Sequence, residues 1–395
     1  MRVGIEFAYK DEGWMGGVNG IANLLHALSA LPARQVEPVL IARPDTPAQL
    51  FRDMPPVEIL RTALVDTGSR LHLARRLTKR AFHVDTLMTT WLRQHRIEIF
   101  SHCEALGRLS SIPTIGQLAD FSYRYFSDLY PADVLATKDA GTARVCNEHD
   151  TVMMPSRAVA TDYRLFFPNA RAKEAPLHII PSTPRTGEKG LELEELTRRY
   201  DVPDRFLYCP NQFWVHKNHE AIIDALALAA ARGKEIHVVS TGAKGDDRRP
   251  KYFGEFMRKV EENGVADRFH VLGLIPLEHT TDLMRHCIAV VTSSLFEGWG
   301  LTVAEAKAMG KTVILSDIPV FREQDPEHAF YFDPKRPDEL AEHMISVIDA
   351  YSPTTDMARQ AEADNRWRDA VRDYALGYER IVLETLGRKA GTREN

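Results

Sequence analysis

The sequence has few cysteines, no long apolar run and no excess of basic charge. Its 395 residues include only 4 cysteines, spread so far apart that neither a disulfide framework nor a Cys-x-x-Cys zinc site is expected. No run approaches the roughly 18 apolar residues of a membrane-spanning helix. With 50 basic against 55 acidic residues, the formal net charge is −5, which excludes a histone-like role in non-specific nucleic-acid binding.

Common metal-binding and dinucleotide-binding patterns are also missing. No Asp-x-Asp pair occurs, and His216 and His219, three residues apart, have no third ligand near them in the sequence. No Gly-x-Gly-x-x-Gly motif follows the first apolar segment. The second apolar segment ends at Ala42 and Arg43, and no acidic residue stands there to bind a ribose diol. We therefore expect neither a metal nor a cofactor.

The cysteines and the N-terminal residues together indicate the cellular compartment of the protein. The first residues run directly into a short strand-like segment, without the apolar stretch of a signal peptide. Isolated cysteines of this kind suit buried thiols in a reducing environment. These observations predict a cytoplasmic protein.

What the sequence does contain is a repeated alternation of short apolar runs with longer amphipathic stretches. This pattern is typical of strand-helix-strand units around a parallel sheet, and it occurs twice. Strands are expected at 3–7, 36–42, 97–101, 113–118, 152–155 and 177–181, and again at 206–209, 236–240, 269–272, 288–292 and 312–315. The predicted fold class is α/β, with two doubly wound Rossmann-like domains.

A cluster of Pro, Ser, Thr and Gly at 181–187 predicts the linker between these domains. We place the first domain at 1–185 and the second at 186–365. The remaining residues, 366–395, are rich in helix-forming types and are expected to form a helical tail that packs back on the first domain.

A glycine-rich segment at 13–20 follows the first expected strand and opens a helix. Its backbone amides, including those of Gly16 and Gly17, are placed to approach an anion or a sugar closely. A flexible turn without a ligand is an equal alternative.

The most informative segment, 293–306, leaves a buried strand, passes through glycines and enters a helix. Glu297 lies in the loop and Glu305 in the second turn of the expected helix. The amides at the start of that helix would stabilise a diphosphate. A carboxylate accepts two hydrogen bonds from a vicinal diol, so Glu305 suits a ribose and Glu297 a sugar ring. The alternative is an ordinary helix-start acid and a solvated helix glutamate.

Two segments carry a resemblance to a known family. FEGWGLTVAEAKAMGKTVILSDIPVFRE, from Phe296, resembles the Glu-x-seven-Glu signature of retaining glycosyltransferase family 4, whose members have the GT-B fold. CPNQFWVHKNHEAII, from Cys209, resembles the donor-phosphate segment of the same family. The resemblance is strong over 206–350 and weaker across the first half. It implies two Rossmann-like domains facing across a cleft, with the nucleotide sugar mainly in the second and the acceptor in the first.

The resemblance also implies roles for single residues. Lys217 would contact the donor diphosphate, Glu305 the ribose and Glu297 the transferred sugar. Gln212 stands where many members have an arginine, and Ala119 where many have a histidine, so that Asp120 becomes the substitute candidate. The predicted catalytic residues are Glu297, Lys217 and Asp120. The predicted donor-binding residues are Gly16, Gly17, Asn211, Gln212, Lys217, Gly273, Glu297, Gly298, Trp299, Gly300, Leu301 and Glu305.

A basic stretch lies between Arg70 and Arg96. Its cations, with Asp85 as the single acid among them, are interleaved with leucines and aromatic residues. The pattern suits a basic amphipathic helix that rests on anionic lipid at the inner face of the membrane, or one that grips a phosphate-bearing acceptor. A solvated helix face opposite a core face is an equal alternative.

The predicted function is a retaining, metal-independent hexosyltransferase of polysaccharide biosynthesis. It would move a sugar from a nucleoside-diphosphate sugar, GDP-mannose or a UDP-hexose, to a glycan, glycolipid or other hydroxyl acceptor. Alternatives are a sugar-nucleotide-modifying GT-B enzyme such as an epimerase, a nicotinamide oxidoreductase, and a non-catalytic GT-B scaffold. The missing ribose carboxylate after the second strand argues against the oxidoreductase, and the pair Glu297 and Glu305 argues against the scaffold.

Overall fold

The structure is a computed structural model that describes residues 1–11, 15–181 and 190–394. The chain divides into two compact units. Unit 1 comprises Met1–Phe121, Pro131–Ser182 and Asp369–Asn395, and unit 2 comprises Ser122–Tyr130 and Thr183–Arg368. Gly13 and Trp14 of the glycine-rich segment, and all of the expected linker 181–187 except Pro181, lie outside the described residues.

Unit 1 contains a 7-stranded parallel sheet in the order β3-β2-β1-β4-β5-β6-β7. Its strands are β1 (Arg2–Phe7), β2 (Glu37–Ala42), β3 (Glu58–Arg61), β4 (Ile99–Ser101), β5 (Thr114–Gln117), β6 (Thr151–Met154) and β7 (Lys173–Pro176). The helices in this half of the chain are α1 (Met15–Ser29), α2 (Arg70–Phe82), α3 (Thr86–Gln94), α4 (Ser122–Tyr125), α5 (Ala132–Glu148) and α6 (Arg157–Phe166). Of these, α4 belongs to unit 2.

Most residues of the central strands of unit 1 are buried, which explains why these strands are mainly apolar. Val3, Ile5 and Phe7 of β1 are 0% exposed. Gly4 between them has no room for a side chain, since a Cβ there would lie 2.8 Å from Cδ1 of Ile41 on β2. Helices therefore cover both faces of this sheet.

Unit 2 contains a 6-stranded parallel sheet in the order β10-β9-β8-β11-β12-β13. Its strands are β8 (Leu207–Cys209), β9 (Val238–Thr241), β10 (Phe269–Gly273), β11 (Ala289–Thr292), β12 (Thr312–Ser316) and β13 (Ala329–Phe332). Its helices are α7 (Leu193–Tyr200), α8 (His219–Ala231), α9 (Tyr252–Glu262), α10 (Leu277–His286), α11 (Leu301–Ala308), α12 (Pro319–Gln324) and α13 (Pro337–Asp349). Two α/β units with parallel sheets confirm the predicted fold class.

The strand expected at 177–181 is wrong. The last strand of unit 1 is β7, which pairs residue by residue with β6 from Lys173 to Pro176. Because β6 ends at Met154, no partner is left for a ladder beyond Pro176. The apolar residues that follow are part of a loop instead.

The last helix, α14 (Pro353–Glu394), begins in unit 2, and its residues from Asp369 onward are part of unit 1. Near its start, Lys311 Nζ donates to Asp356 Oδ2 at 2.6 Å in a buried ion pair. Farther along, Glu379 Oε1 accepts hydrogen bonds from the backbone amides of Gln35 and Val36 at 2.6 and 3.1 Å. Among the described residues, none of the helices has the length and apolar character needed to cross a bilayer.

The strand order of each sheet places one crevice at its carboxyl edge. The order reverses between β1 and β4 in unit 1 and between β8 and β11 in unit 2. In open α/β sheets ligands bind in the crevice at such a reversal. In unit 2 the loops that leave β8 and β11 are the two segments that carry the family resemblance.

Candidate functional site

An ion pair between Lys217 and Glu297 lies at the carboxyl edge of unit 2. Lys217 ends a 3₁₀ turn, Val215–Lys217, that follows β8, and Glu297 lies in the loop between β11 and α11. Lys217 Nζ donates to Glu297 Oε1 at 2.5 Å, and Ser294 Oγ donates to the same oxygen at 2.7 Å. The two side chains are only 13% and 12% exposed. The structure therefore brings together two of the three predicted catalytic residues as a shielded, neutral pair.

The backbones on either side of this pair are hydrogen-bonded to each other. Ser293 Oγ bonds to the carbonyl oxygens of Lys217 and Asn218 at 3.0 and 2.8 Å. The backbone amide of Leu295 donates to the carbonyl oxygen of His216 at 2.8 Å. These bonds join the loop after β8 to the loop after β11, so the separation of the two charged groups is fixed by the backbone.

Gly300 precedes α11 with a backbone that requires glycine. Its φ is +82°, and a Cβ there would lie 2.5 Å from Cε1 of Phe321. Gln324 Nε2 holds the turn by donating to the carbonyl oxygens of Trp299 and Gly300. Within the described part of the chain, α11 has no side-chain cap at its N-terminus. The first amides of α11 therefore have the arrangement that stabilises an anion.

Glu305 lies in the second turn of α11 and is half-buried. Burial raises the pKa of Glu305 to about 7. Among the residues that the structure describes, none forms a hydrogen bond or an ion pair with its carboxyl group. Near neutral pH this group can both donate and accept hydrogen bonds, as recognition of a diol requires.

His216 and His219 flank Lys217 but are not cations. Burial, with the nearby charges of Lys217 and Arg248, lowers the pKa of His216 to about 3. Burial also lowers the pKa of His219 to about 3, and its ring stacks on Phe213 with 4.5 Å between centroids. No cluster of three or more His, Cys, Asp or Glu side chains in the described ranges could hold a metal ion. Both imidazoles are therefore neutral packing groups behind Lys217.

The other predicted donor-binding residues fall into two sets. Asn211, Gln212 and Gly273 lie at the carboxyl ends of β8 and β10 in unit 2. Asn211 is 5% exposed and donates from Nδ2 to Thr292 Oγ1 at 3.3 Å, whereas Gln212 is exposed. Gly273 has a φ of +75°.

The second set belongs to unit 1. Gly16 and Gly17 lie in the first turn of α1, so they are helical residues in the structure. Asp120, the third predicted catalytic residue, also belongs to unit 1 and is half-buried in the loop that follows β5.

The aromatic segment Ser122–Tyr130, which packs within unit 2, was not among the predicted site residues. The Tyr125 ring lies 4.9 Å from that of Phe296, and the Phe126 ring lies 5.7 Å from that of His216 and 6.4 Å from that of Phe296. Phe296 immediately precedes Glu297, and His216 immediately precedes Lys217. The run of aromatic residues in this segment was the signal that could have marked it.

Arg248 was also missed. It forms a two-point ion pair with Asp246, at 2.7 and 2.8 Å, while its guanidinium carbon lies 5.1 Å from the ring centre of Trp214. Its Nη1 donates to the hydroxyl of Tyr130 at 3.3 Å. Asp246, which neutralises the arginine, is 5% exposed. The proximity of Asp246 and Arg248 in the sequence signals a local ion pair, but only the fold shows that it holds Trp214 and Tyr130.

Comparison with known structures identifies the architecture as that of GT-B glycosyltransferases. The crystal structure of Anabaena HepE in complex with UDP and glucose is similar over 100% of this chain and 99% of that chain, with a TM-score of 0.60 and 17% identity. At this identity the likeness shows the fold alone.

Sequence comparison is more specific for the second half of the chain. Residues 198–364 match the family described as Glycosyl transferases group 1, and this range includes Lys217, Glu297 and Glu305. Mannosylfructose-phosphate synthase of Agrobacterium fabrum is 24% identical over 154 residues, which are 38% of this chain and 34% of that protein. The serotype-specific mannosyltransferase WbdA of Escherichia coli is 38% identical over 74 residues, 19% of this chain and 9% of that protein. The matches thus span 34% and 9% of the length of these relatives.

Proposed function

We propose that the chain is a retaining glycosyltransferase that transfers a sugar from a nucleoside-diphosphate sugar to a hydroxyl acceptor. One observation carries the proposal: the ion pair of Lys217 and Glu297 lies in the loops beside the uncapped start of α11, and that helix also presents Glu305. The match of residues 198–364 to the group 1 glycosyl transferases supports it.

The donor would lie along the carboxyl edge of unit 2. Its diphosphate would be stabilised by Lys217 and by the amides of Gly298, Trp299, Gly300 and Leu301. Lys217 can bind phosphate without leaving Glu297, because an ammonium group has three hydrogen-bond donors. The carboxyl group of Glu305 would bind the ribose diol, and Glu297 would contact the transferred sugar.

The reaction would replace one bond at the anomeric carbon with another on the same face. The bond from this carbon to the phosphate oxygen breaks, and its electron pair leaves with the diphosphate. The acceptor oxygen forms the new bond, and its proton moves to the departing phosphate oxygen. Lys217 and the start of α11 stabilise the charge that develops on the leaving group. The acceptor would bind in unit 1, where Asp120 is the candidate catalytic group.

The donor is proposed to be GDP-mannose or a UDP-hexose, bound without a divalent metal. The mannosyltransferase among the relatives supports the first, and the UDP in the HepE crystal structure supports the second. The acceptor is proposed to be a glycan or a glycolipid. Full activity in the presence of a chelator is expected, and loss of activity that magnesium or manganese restores would contradict the metal-free mechanism.

A glycolipid acceptor would agree with a membrane-facing helix, and within the basic stretch α2 offers an exposed basic face. Arg75 is 2% exposed and pairs with Asp85, and Lys79 Nζ donates to Glu148 at 2.7 Å, so neither faces solvent freely. The solvent side of α2 instead carries arginines and exposed apolar residues: Arg70, Leu73, Arg76, Leu77 and Arg80. We propose that this face contacts anionic lipid.

A thermal-shift screen with UDP, GDP, ADP and their sugars tests the donor site. A ligand at 100 times its dissociation constant stabilises the folded state by about 2.7 kcal/mol. We expect stabilisation by at least one nucleoside diphosphate, and a smaller stabilisation in Glu305→Ala at the same concentration. No stabilisation by any of these ligands would favour the non-catalytic scaffold, and release of a modified sugar nucleotide without an acceptor would favour the epimerase.

A further inference from the structure

The loops that follow β8, β9 and β10 form one continuous surface at the carboxyl edge of unit 2. The amide of Gly242, after β9, donates to the carbonyl oxygen of Gly273 at 2.9 Å. The amide of Phe213 donates to the carbonyl oxygen of Ala243 at 3.0 Å. Gly242 has a φ of +140°, and a Cβ there would lie 2.5 Å from the carbonyl oxygen of Asn211. The loop after β9 thus packs directly between the loops that contain Asn211 and Gly273.

Lys244 lies on this surface without an acidic partner. A Cβ on Gly273 would lie 3.2 Å from Cε and 3.7 Å from Nζ of this lysine, and its Nζ is 5.6 Å from the ring centre of Phe253. The side chain is exposed. Within the described ranges, no Asp or Glu side chain forms an ion pair with it. Lys217 and Arg248 differ in this respect, since Glu297 and Asp246 neutralise them.

The sheet order separates Lys244 from the groups assigned to the diphosphate. Lys217 is bonded to Glu297 in the loop after β11, whereas Lys244 lies beside Gly273 at the end of β10, on the other side of β8. Neighbouring strands are about 4.8 Å apart, so the distance from β11 to β10 is about 14 Å. An extended nucleoside diphosphate has this reach. With its phosphates at α11, its base would lie over Gly273 and Lys244.

The geometry points to Lys244 as a residue that selects the base of the nucleotide donor. It favours a base with a carbonyl oxygen at the contacted edge, as in uracil or guanine, over adenine. An ammonium group only donates hydrogen bonds, so it pairs with a carbonyl oxygen and not with the amino group that adenine has at the equivalent position. This inference rests on the proposed function, because it takes the donor to be a nucleotide bound at α11.

Calorimetric titration of UDP, GDP and ADP against the full chain tests the inference. In Lys244→Met, binding of UDP and GDP should weaken by about tenfold or more, as expected for loss of a charged hydrogen-bond donor, while binding of ADP should stay unchanged. Lys244→Arg should restore the preference. Lys251→Met removes an equally exposed lysine of the same unit and should leave all three affinities as in the wild type.

Three results would overturn the inference, and only one of them would also overturn the proposed function. Equal weakening of all three nucleotides would assign Lys244 to the phosphates. Unchanged affinities would show that Lys244 does not touch the nucleotide, with the donor site itself intact. Absence of nucleotide binding in the wild type would overturn the proposed function as well.

Discussion

Lys217 and Glu297 form an ion pair at 2.5 Å, and each side chain is less than one-sixth exposed, at 13% and 12%. A shielded pair of this kind cannot lose one partner without leaving the other charge poorly solvated. The carboxylate also accepts a hydrogen bond from Ser294 Oγ. The orientation of each charged group is therefore already determined in the folded protein, which is the condition for stabilising a transition state without reorganisation.

Substitutions of Glu297 and Glu305 should affect different quantities, turnover in one case and nucleotide affinity in the other. If Glu297 contacts the reacting sugar as proposed, Glu297→Gln should lower turnover on the order of 100-fold and change nucleotide affinity little. If Glu305 binds the ribose as proposed, Glu305→Ala should weaken nucleoside-diphosphate binding by about 10- to 150-fold, because a charged hydrogen bond would be lost. Steady-state kinetics together with calorimetry measure both quantities. Unchanged affinity in Glu305→Ala would remove the ribose assignment.

Glu305 should also make stability depend on pH. Burial raises its pKa from 4.5 to about 7 in the folded state, so the folded protein binds this proton more tightly than the unfolded chain. The resulting stabilisation is complete below about pH 4.5 and is lost as the pH rises through 7. Glu305→Gln, which cannot ionise, should therefore match the wild type in acid and exceed its unfolding free energy by about 3 kcal/mol at pH 8.

Urea unfolding at several pH values checks this expectation. Glu278→Gln is the matched control, since Glu278 is an exposed glutamate on α10. A constant difference between Glu305→Gln and the wild type across this pH range would mean that the carboxyl group is not desolvated in the folded protein.

Phe126 should help to position Lys217 and Glu297 through the residues that precede them. Its ring contacts those of His216 and Phe296, which precede Lys217 and Glu297. Phe126→Ala should therefore lower kcat by about tenfold, because a small displacement of positioned groups is costly, while Phe126→Tyr should keep most of the activity. A loss of thermal stability with unchanged kcat would show that the aromatic segment is structural only.

The solvent face of α2 should bind anionic vesicles, and binding should fall with salt. Each basic residue near such a surface contributes about 1 kcal/mol. Replacing Arg70, Arg76 and Arg80 with Gln should abolish co-sedimentation with vesicles that contain phosphatidylserine. The control variant replaces with Gln three exposed residues of unit 2, Arg198, Arg199 and Arg258. It has the same net charge as the test variant and should co-sediment like the wild type. If both triple variants sediment like the wild type, α2 has an ordinary solvated face.

The elements predicted correctly from the sequence were those whose signal is local. Strands such as β1 and β11 are mostly buried and therefore mainly apolar. The edge strands β3 and β13 were missed. Both are only partly buried, and Glu58–Arg61 begins and ends with a charged residue, whereas Ala329–Phe332 is apolar but was not recognised as a strand. The turn before Leu301 was predictable from its glycines, and Gly300 has the positive φ that such a turn requires.

Long-range contacts were not predictable from the sequence. Arg75 belongs to a basic run, yet the fold turns it inward to Asp85. Lys217 and Glu297 lie 80 residues apart, and only the neighbouring positions of β8 and β11 bring them together. The aromatic segment Ser122–Tyr130 follows a strand of unit 1 in the sequence but packs in unit 2, and no local pattern shows this.

Acceptor-dependent transfer with retention is the central claim, and the anomeric configuration of the product tests it most directly. The protein would be incubated with GDP-mannose or UDP-glucose and a panel of glycan and lipid-linked acceptors, and the product analysed by proton NMR. We expect an α-linked product from an α-linked donor, released together with the nucleoside diphosphate and formed far more slowly by Glu297→Gln. A β-linked product, or turnover that Glu297→Gln leaves unchanged, would contradict it.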